Sequence, residues 1–241
     1  MSKKFVIPPS LTVLFVTVIW VFNLTAQNNY EDFYIWFDSK IGSENTGLYN
    51  GTRFQETFQT KRGVHRYFLG TEFQNGNINY FGQPYFDVAL KYDIYEDQVL
   101  FSIVKLIKDE IQSFEIEGHK FFLLQPAEIS NSSSSIDGFY EILLEGKRFT
   151  LYKKNKKSKR EFIENETVFT DFKINNEYFI YAGGMYHKIV KKRDWIKVFP
   201  EAKKTVNDFY RSHKFLFKTD YEAFVNQLAE KINASSQIVK Q

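Results

Sequence analysis

Phe86-Asp87-Val88-Ala89-Leu90-Lys91-Tyr92-Asp93-Ile94 decides the fold. Phe86, Val88, Leu90, Tyr92 and Ile94 fall on one side of an extended chain, and Asp87, Ala89, Lys91 and Asp93 on the other. A period of two with one apolar side is the pattern of a half-buried antiparallel strand. Upstream, Ile78–Phe81 leads into it through a turn at Gly82-Gln83-Pro84. Downstream, Glu96-Asp97 reverses the chain, and Val99, Phe101 and Ile103 resume the alternation. Residues 77–104 therefore read as a meander in a sheet with one wet face.

The same grammar extends in both directions. Phe114–Ile116 and Lys120–Leu124 flank Glu117-Gly118, Tyr140–Leu144 and Arg148–Tyr152 flank Glu145-Gly146, and Tyr178–Tyr181 and Met185–Val190 flank Gly183-Gly184. Glycine supplies the positive φ that tight hairpin turns require. A further hairpin is expected from Phe54–Gln59 and Val64–Leu69 about Lys61-Arg62-Gly63. Asn28–Gly51 reads as a loosely structured lead-in with one short strand or helical turn. Of the 241 residues 43% are hydrophobic and 18% aromatic, with 26 Phe and 15 Tyr. This suits a β-rich core, since aromatic side chains favour pleated surfaces and burial. An exposed aromatic platform is the competing use.

The chain ends in helices. Pro200 suits a first helical turn, and Ala202, Val206 and Phe209 repeat at helical spacing. A second helix is expected from Thr219-Asp220-Tyr221-Glu222, read as a capping box with Thr219 as N-cap. Its apolar positions Tyr221, Phe224, Val225, Leu228 and Ile232 share one face. The fold class is therefore mainly β (α+β): antiparallel meander and hairpin sheets followed by a C-terminal pair of α-helices.

Residues 1–26 read as an address. Lys3-Lys4, the 12-residue apolar run Leu11–Phe22 and a small residue at Ala26 match the three parts of a secretory signal peptide. A spanning helix needs roughly 20 apolar residues, so no transmembrane span is expected after cleavage. The expected units are then 27–129, acidic and β-rich; 130–138, a Ser-rich linker or long hairpin loop; and 139–241, basic hairpins with helices. Residues 1–146 hold 11 Lys/Arg against 18 Asp/Glu (net −7), and residues 147–241 hold 21 against 11 (net +10). Such polarity suits an anionic partner, or two halves that attract each other.

No stretch assembles a recognisable catalytic, cofactor or metal site, so none is assigned. Cysteine is absent, which removes thiolate nucleophiles, disulfides and Cys-type zinc sites. His65, His119, His187 and His213 are far apart in sequence, and Asp93, Glu96 and Asp97 read as a turn rather than a calcium loop. No Gly-x-Ser-x-Gly elbow or phosphate loop is present. Paired carboxylates for glycoside hydrolysis depend on separation in space, not along the chain. The one candidate patch is Lys153, Lys154, Lys156, Lys157, Lys159 and Arg160, six cations within eight residues. It reads as a solvated turn or as a contact for an anionic surface partner. Nucleic acid is disfavoured, because aromatics are not interleaved with the charges and export removes the usual target.

Two stretches carry a resemblance: Asn77-Ile78-Asn79-Tyr80-Phe81-Gly82-Gln83-Pro84 running on through Phe86–Tyr95, and the helix start Phe199-Pro200-Glu201-Ala202-Lys203-Lys204 with a second short helix after it. With the signal ending Thr25-Ala26-Gln27, they resemble an uncharacterised family of exported Bacteroidetes-type proteins. The resemblance covers most of the mature chain and implies export. No activity is established for that family, so it implies no catalytic residues. The expectation is a non-enzymatic protein exported to the periplasm or cell surface, where it binds an envelope protein or an anionic surface polymer. The alternative is a carbohydrate-active or other hydrolytic enzyme using scattered carboxylates. An outer-membrane barrel would need strands of about ten residues with an apolar outer face, and only Phe86–Ile94 approaches that.

Overall fold

The computed structural model describes residues 30–130 and 135–235. The expected signal segment and the Ser-rich residues 131–134 lie outside them. The fold is mainly β with a C-terminal helical group. An 11-stranded sheet carries most of the chain, and a separate hairpin projects from it.

The N-terminal half is a meander of β2 (Gln74–Tyr80), β3 (Gln83–Asp93), β4 (Gln98–Phe101) and β5 (Val104–Leu106), with the short β1 (Gly51–Arg53) on the edge beside β5. A 3-10 turn at Lys108–Glu110 then returns the chain as β6 (Ile111–Ile116), which pairs with β2. Tyr80, Leu90, Tyr92, Ile111, Phe114 and Phe121 are buried in one core here.

The second half is built on β7 (His119–Ser130), which pairs first with β6 and then with β8 (Ser135–Glu145). The chain continues through β9 (Thr150–Lys154), the projecting hairpin β10 (Lys157–Glu164) and β11 (Thr167–Ile174), then β12 (Glu177–Ala182) and β13 (Met185–Ile189). β8 pairs with β9, β9 with β12, β12 with β13, and β13 returns parallel to the end of β7. Five strands thus close into a ring, whose interior holds Ile129, Ile136, Tyr140 and Phe179 with Leu124, Tyr152 and Tyr186. The Ser-rich stretch expected as a linker or loop is flanked by β7 and β8, which pair with each other up to Glu128↔Ser135.

The outer side of the ring carries the helices. These are α2 (Lys192–Val198), α3 (Lys203–Ser212), α4 (Lys214–Thr219) and α5 (Tyr221–Ser235), so the expected pair is a group of four. Trp195, Val206, Phe209, Phe224, Val225, Leu228, Ala229 and Ile232 are buried against Phe149, Leu151, Tyr178, Ile180 and Ile189 of the sheet. Each of the fully buried Val, Leu, Ile and Phe side chains contributes about 1.5–3 kcal/mol. Among the described residues, no helix is long and apolar enough to cross a membrane.

Several local expectations are corrected. Residues 54–69 form no hairpin. They run as an irregular segment tied down by isolated bridges Thr60↔Thr170 and Tyr67↔Asp93, because long-range partners outcompete the local turn. The cap of α5 is Asp220, whose Oδ1 accepts the Ala223 amide (2.9 Å). Thr219 instead closes α4 by donating to the Phe215 carbonyl (3.0 Å). The expected lead-in holds a three-turn helix, α1, over residues 30–41, followed by two 3-10 turns.

Candidate interaction surface

α1 rests on β3 at a point where the strand alternation breaks. The β2–β3 register passes from Gly76↔Val88 to Ile78↔Tyr85, so Phe86 and Asp87 together oppose Asn77. Such a bulge re-aims side chains. Asp87 takes a left-handed φ of 54°, a conformation that Asp tolerates better than most residues. Two asparagines of β2 fix it: Asn75 Nδ2 donates to Asp87 Oδ1 (2.5 Å), and the Asp87 amide donates to Asn77 Oδ1 (3.0 Å). Tyr85 therefore enters the core, and Phe86 leaves the face it was expected to share with Leu90 and Tyr92.

Phe86 becomes part of the seat of α1, meeting the Tyr34 ring edge-on at 6.3 Å. The seat is narrow. Ile35 lies between two open clefts, one of about 410 Å³ beside Asp38, Leu48, Val88 and Phe101, the other of about 460 Å³ beside Glu31, Asn75, Asp87 and Glu115. Burial in the first cleft raises the Asp38 pKa above its ordinary value. On its far side α1 presents Tyr30, Phe33, Trp36 and Phe37, each between 41% and 57% exposed. Phe33 lies 6.2 Å from Trp36 and stacks on Phe37 at 6.4 Å. Four clustered aromatics on one exposed helix face form a patch of the kind that marks an interaction site.

The six cations singled out from the sequence do not share one exposed face. β9 and the start of β10 alternate, with Lys153, Asn155 and Lys157 buried and Lys156, Lys159 and Arg160 exposed. Lys153 lies between Glu222 of α5 (2.7 Å) and buried Glu141 (3.3 Å). Glu141 also accepts from Asn155 Nδ2 (2.6 Å) and lies 2.6 Å from His119 Nδ1. The Lys157 ammonium donates to the carbonyls of His65 (2.7 Å) and Tyr67 (3.1 Å), and burial lowers its pKa. Lys159 pairs with Glu161 (2.8 Å). Lys156 and Arg160 take no part in an ion pair among the described residues.

Lys154, at the end of β9, reaches the turn at residues 93–97. Asp97 receives Lys108 (2.7 Å), Lys154 (2.8 Å) and the Tyr92 hydroxyl (2.6 Å). Burial pushes the Asp97 pKa up, but the two ammoniums and the Tyr92 hydroxyl outweigh it and leave it below the ordinary carboxylate value. Burial lowers the Lys154 pKa, partly offset by Asp97. This knot joins the two halves, because Asp97 lies before β4 and Lys154 ends β9. Gly138 of β8 makes room for it. Its φ is +93°, and a Cβ there would stand 1.9 Å from Asp97 Oδ2. On the same turn Asp93 meets buried Arg66 (2.9 Å), which also reaches Glu96 (3.2 Å).

Among the described residues, no group of three His, Asp or Glu side chains is arranged to hold a metal ion. The α1 surface was missed by sequence reading, although Tyr30, Phe33 and Phe37 already stand at i, i+3 and i+7. No known protein-family model matches the chain, and comparisons with curated proteins and with solved structures found no match.

Proposed function

We propose that this protein is an exported, non-enzymatic binding module of the cell envelope, in the periplasm or at the cell surface, which engages a protein partner or surface polymer through the aromatic face of α1. Export rests on the tripartite pattern of residues 1–26. Binding rests on one observation: Tyr30, Phe33, Trp36 and Phe37 stand outward on a helix that is only narrowly seated on the sheet. Aromatic side chains supply large contact area at low entropic cost, and they dominate binding hot spots.

A photo-crosslinking residue placed at position 36 of the full chain, in cells, tests this reading. The expected product joins the protein to an envelope component, and the triple variant Phe33→Ser, Trp36→Ser, Phe37→Ser no longer fractionates with the envelope. Recovery of the wild type only as a free cytoplasmic monomer without adducts overturns it.

A hydrolytic alternative is favoured by one feature, the open cleft beside α1 lined by Glu31, Asp87, Glu115 and Glu117. Glycoside hydrolysis uses two carboxyl groups about 5–9.5 Å apart. Release of reducing ends from envelope polysaccharide by the wild type, abolished by Glu115→Gln, would replace the binding reading.

A further inference from the structure

The basic excess of residues 147–241 has a second location. A cleft of about 490 Å³ opens where the end of the β7–β13 pair meets α2, a size typical of small-molecule sites. Its polar lining is Ser130, His187, Lys188, Lys191, Asp194 and Lys197, with Val190 and Val198 supplying apolar wall. One carboxylate, Asp194, lines the cleft, and it is engaged by the backbone at the start of α2. Asp194 Oδ2 accepts the amides of Val190 (3.0 Å) and Lys191 (2.9 Å). Glu177 holds the Lys188 ammonium at 2.6 Å.

Lys191 and Lys197 are exposed and take no part in an ion pair among the described residues. Lys192 and Arg193 follow on the same short helix and add to the positive field. A concave, cation-lined cleft concentrates that field and draws anions into it. The lining gives the class of anion. Lysine ammoniums bind phosphate as point charges, and a phosphate monoester, with nearly twice the charge of a carboxylate, gains more from a group of them. None of the lining residues is Phe, Tyr or Trp, so the cleft lacks the broad ring on which a nucleobase stacks best.

We propose that this cleft binds a phosphate monoester carried on a small polar body. The phosphate sits between the Lys191 and Lys197 ammoniums, with His187 at its edge. The site stands apart from α1 and does not depend on the role given to that helix.

The test is titration of the mature protein with glucose 6-phosphate, followed by NMR at the His187 ring and at the backbone amides of 187–198. A parallel arm uses phosphatidylcholine vesicles with and without phosphatidic acid, in a co-sedimentation assay. Saturable shifts confined to this cleft are expected. The double variant Lys191→Ala, Lys197→Ala should weaken binding by about tenfold or more, the loss of at least one charge-assisted contact. The double variant Lys156→Ala, Arg160→Ala, which removes two exposed cations elsewhere, should leave it unchanged. Response to the sugar phosphate assigns a soluble or polymer-borne phosphate. Response only to phosphatidic acid vesicles, lost in the same Lys191/Lys197 variant, assigns a lipid headgroup. Silence in both arms overturns the proposal, and so does equal weakening by the Lys156/Arg160 variant, since that marks diffuse attraction rather than a site. Loss of the α1 aromatics leaves all of these readouts unchanged, which separates this proposal from the binding role given to α1.

Discussion

Two of the helices, α5 and α1, carry apolar faces that point in opposite directions, one into the core and one into solvent. α5 turns Phe224, Val225, Leu228, Ala229 and Ile232 against the outer side of the ring, all completely buried. α1 touches its sheet through Tyr34 and Ile35, keeps open clefts beside it, and turns Tyr30, Phe33, Trp36 and Phe37 to solvent. Helical periodicity identifies an apolar stripe in both. Only the environment says whether the stripe is core or contact surface. α5 holds the fold together, whereas α1 adds little to the core and leaves its aromatics in solvent.

That contrast is broken most directly by Leu228→Ala. Truncating a fully buried leucine leaves a cavity and costs about 3–5 kcal/mol, read as a lower urea midpoint at unchanged slope. A loss under about 1 kcal/mol would mean that α5 is no better seated than α1. Next in size is Gly138→Ala, aimed at the knot that binds the half carrying α1 to the half carrying α5. It introduces strain at positive φ and displaces Asp97, with an expected cost of about 2–3 kcal/mol. A melting temperature equal to the wild type would show that the Asp97 knot yields without cost.

The same knot makes a pH prediction. Asp97 has a lowered pKa in the folded state, so its contribution is fully present above the ordinary carboxylate value of 3.8 and is lost as pH falls from there through the lower folded value. The urea midpoint of the wild type should therefore fall more steeply than that of Asp97→Asn over that acid window. Parallel curves for the two proteins would remove Asp97 from the account. The smallest effect is expected on the exposed side of the comparison. Phe33→Ser, a change at a 57% exposed ring, should alter stability by no more than about 0.5 kcal/mol while abolishing the envelope crosslink formed from position 36. A large loss of stability would recast the α1 aromatics as core.

Much of this architecture was legible from alternation. Val88 to Ile94, the hairpins at Glu117-Gly118 and Gly183-Gly184, and the buried stripe of α5 all follow from local periodicity and turn chemistry. The bulge at Asp87 was not, because Phe86 fits the period of two in sequence and leaves it only when Asn75 and Asn77 capture Asp87. The parallel return of β13 to β7 leaves no local mark either, since its partners are distant in sequence. In the cationic run, the strand period already separates Lys153, Asn155 and Lys157 from Lys156, Ser158 and Arg160. What it could not supply were the internal partners, Glu141, Glu222, Asp97 and the carbonyls of His65 and Tyr67, each brought from elsewhere in the chain. The same holds for the cation cleft, whose members come from β7, β13 and α2.

The parallel β13–β7 pair also sets the order in which the protein assembles. β7, β8 and β9 are neighbours in sequence and zip together by short loops, but the ring stays open until the chain extends through Ile189. Bringing such remote strands together carries a loop-closure cost that slows folding. Until then Ile129, Ile136, Tyr140 and Phe179 line an open apolar gutter. A chain emerging N-terminus first holds that gutter exposed until Ile189 has followed, and in that interval it is most open to chaperones and to aggregation.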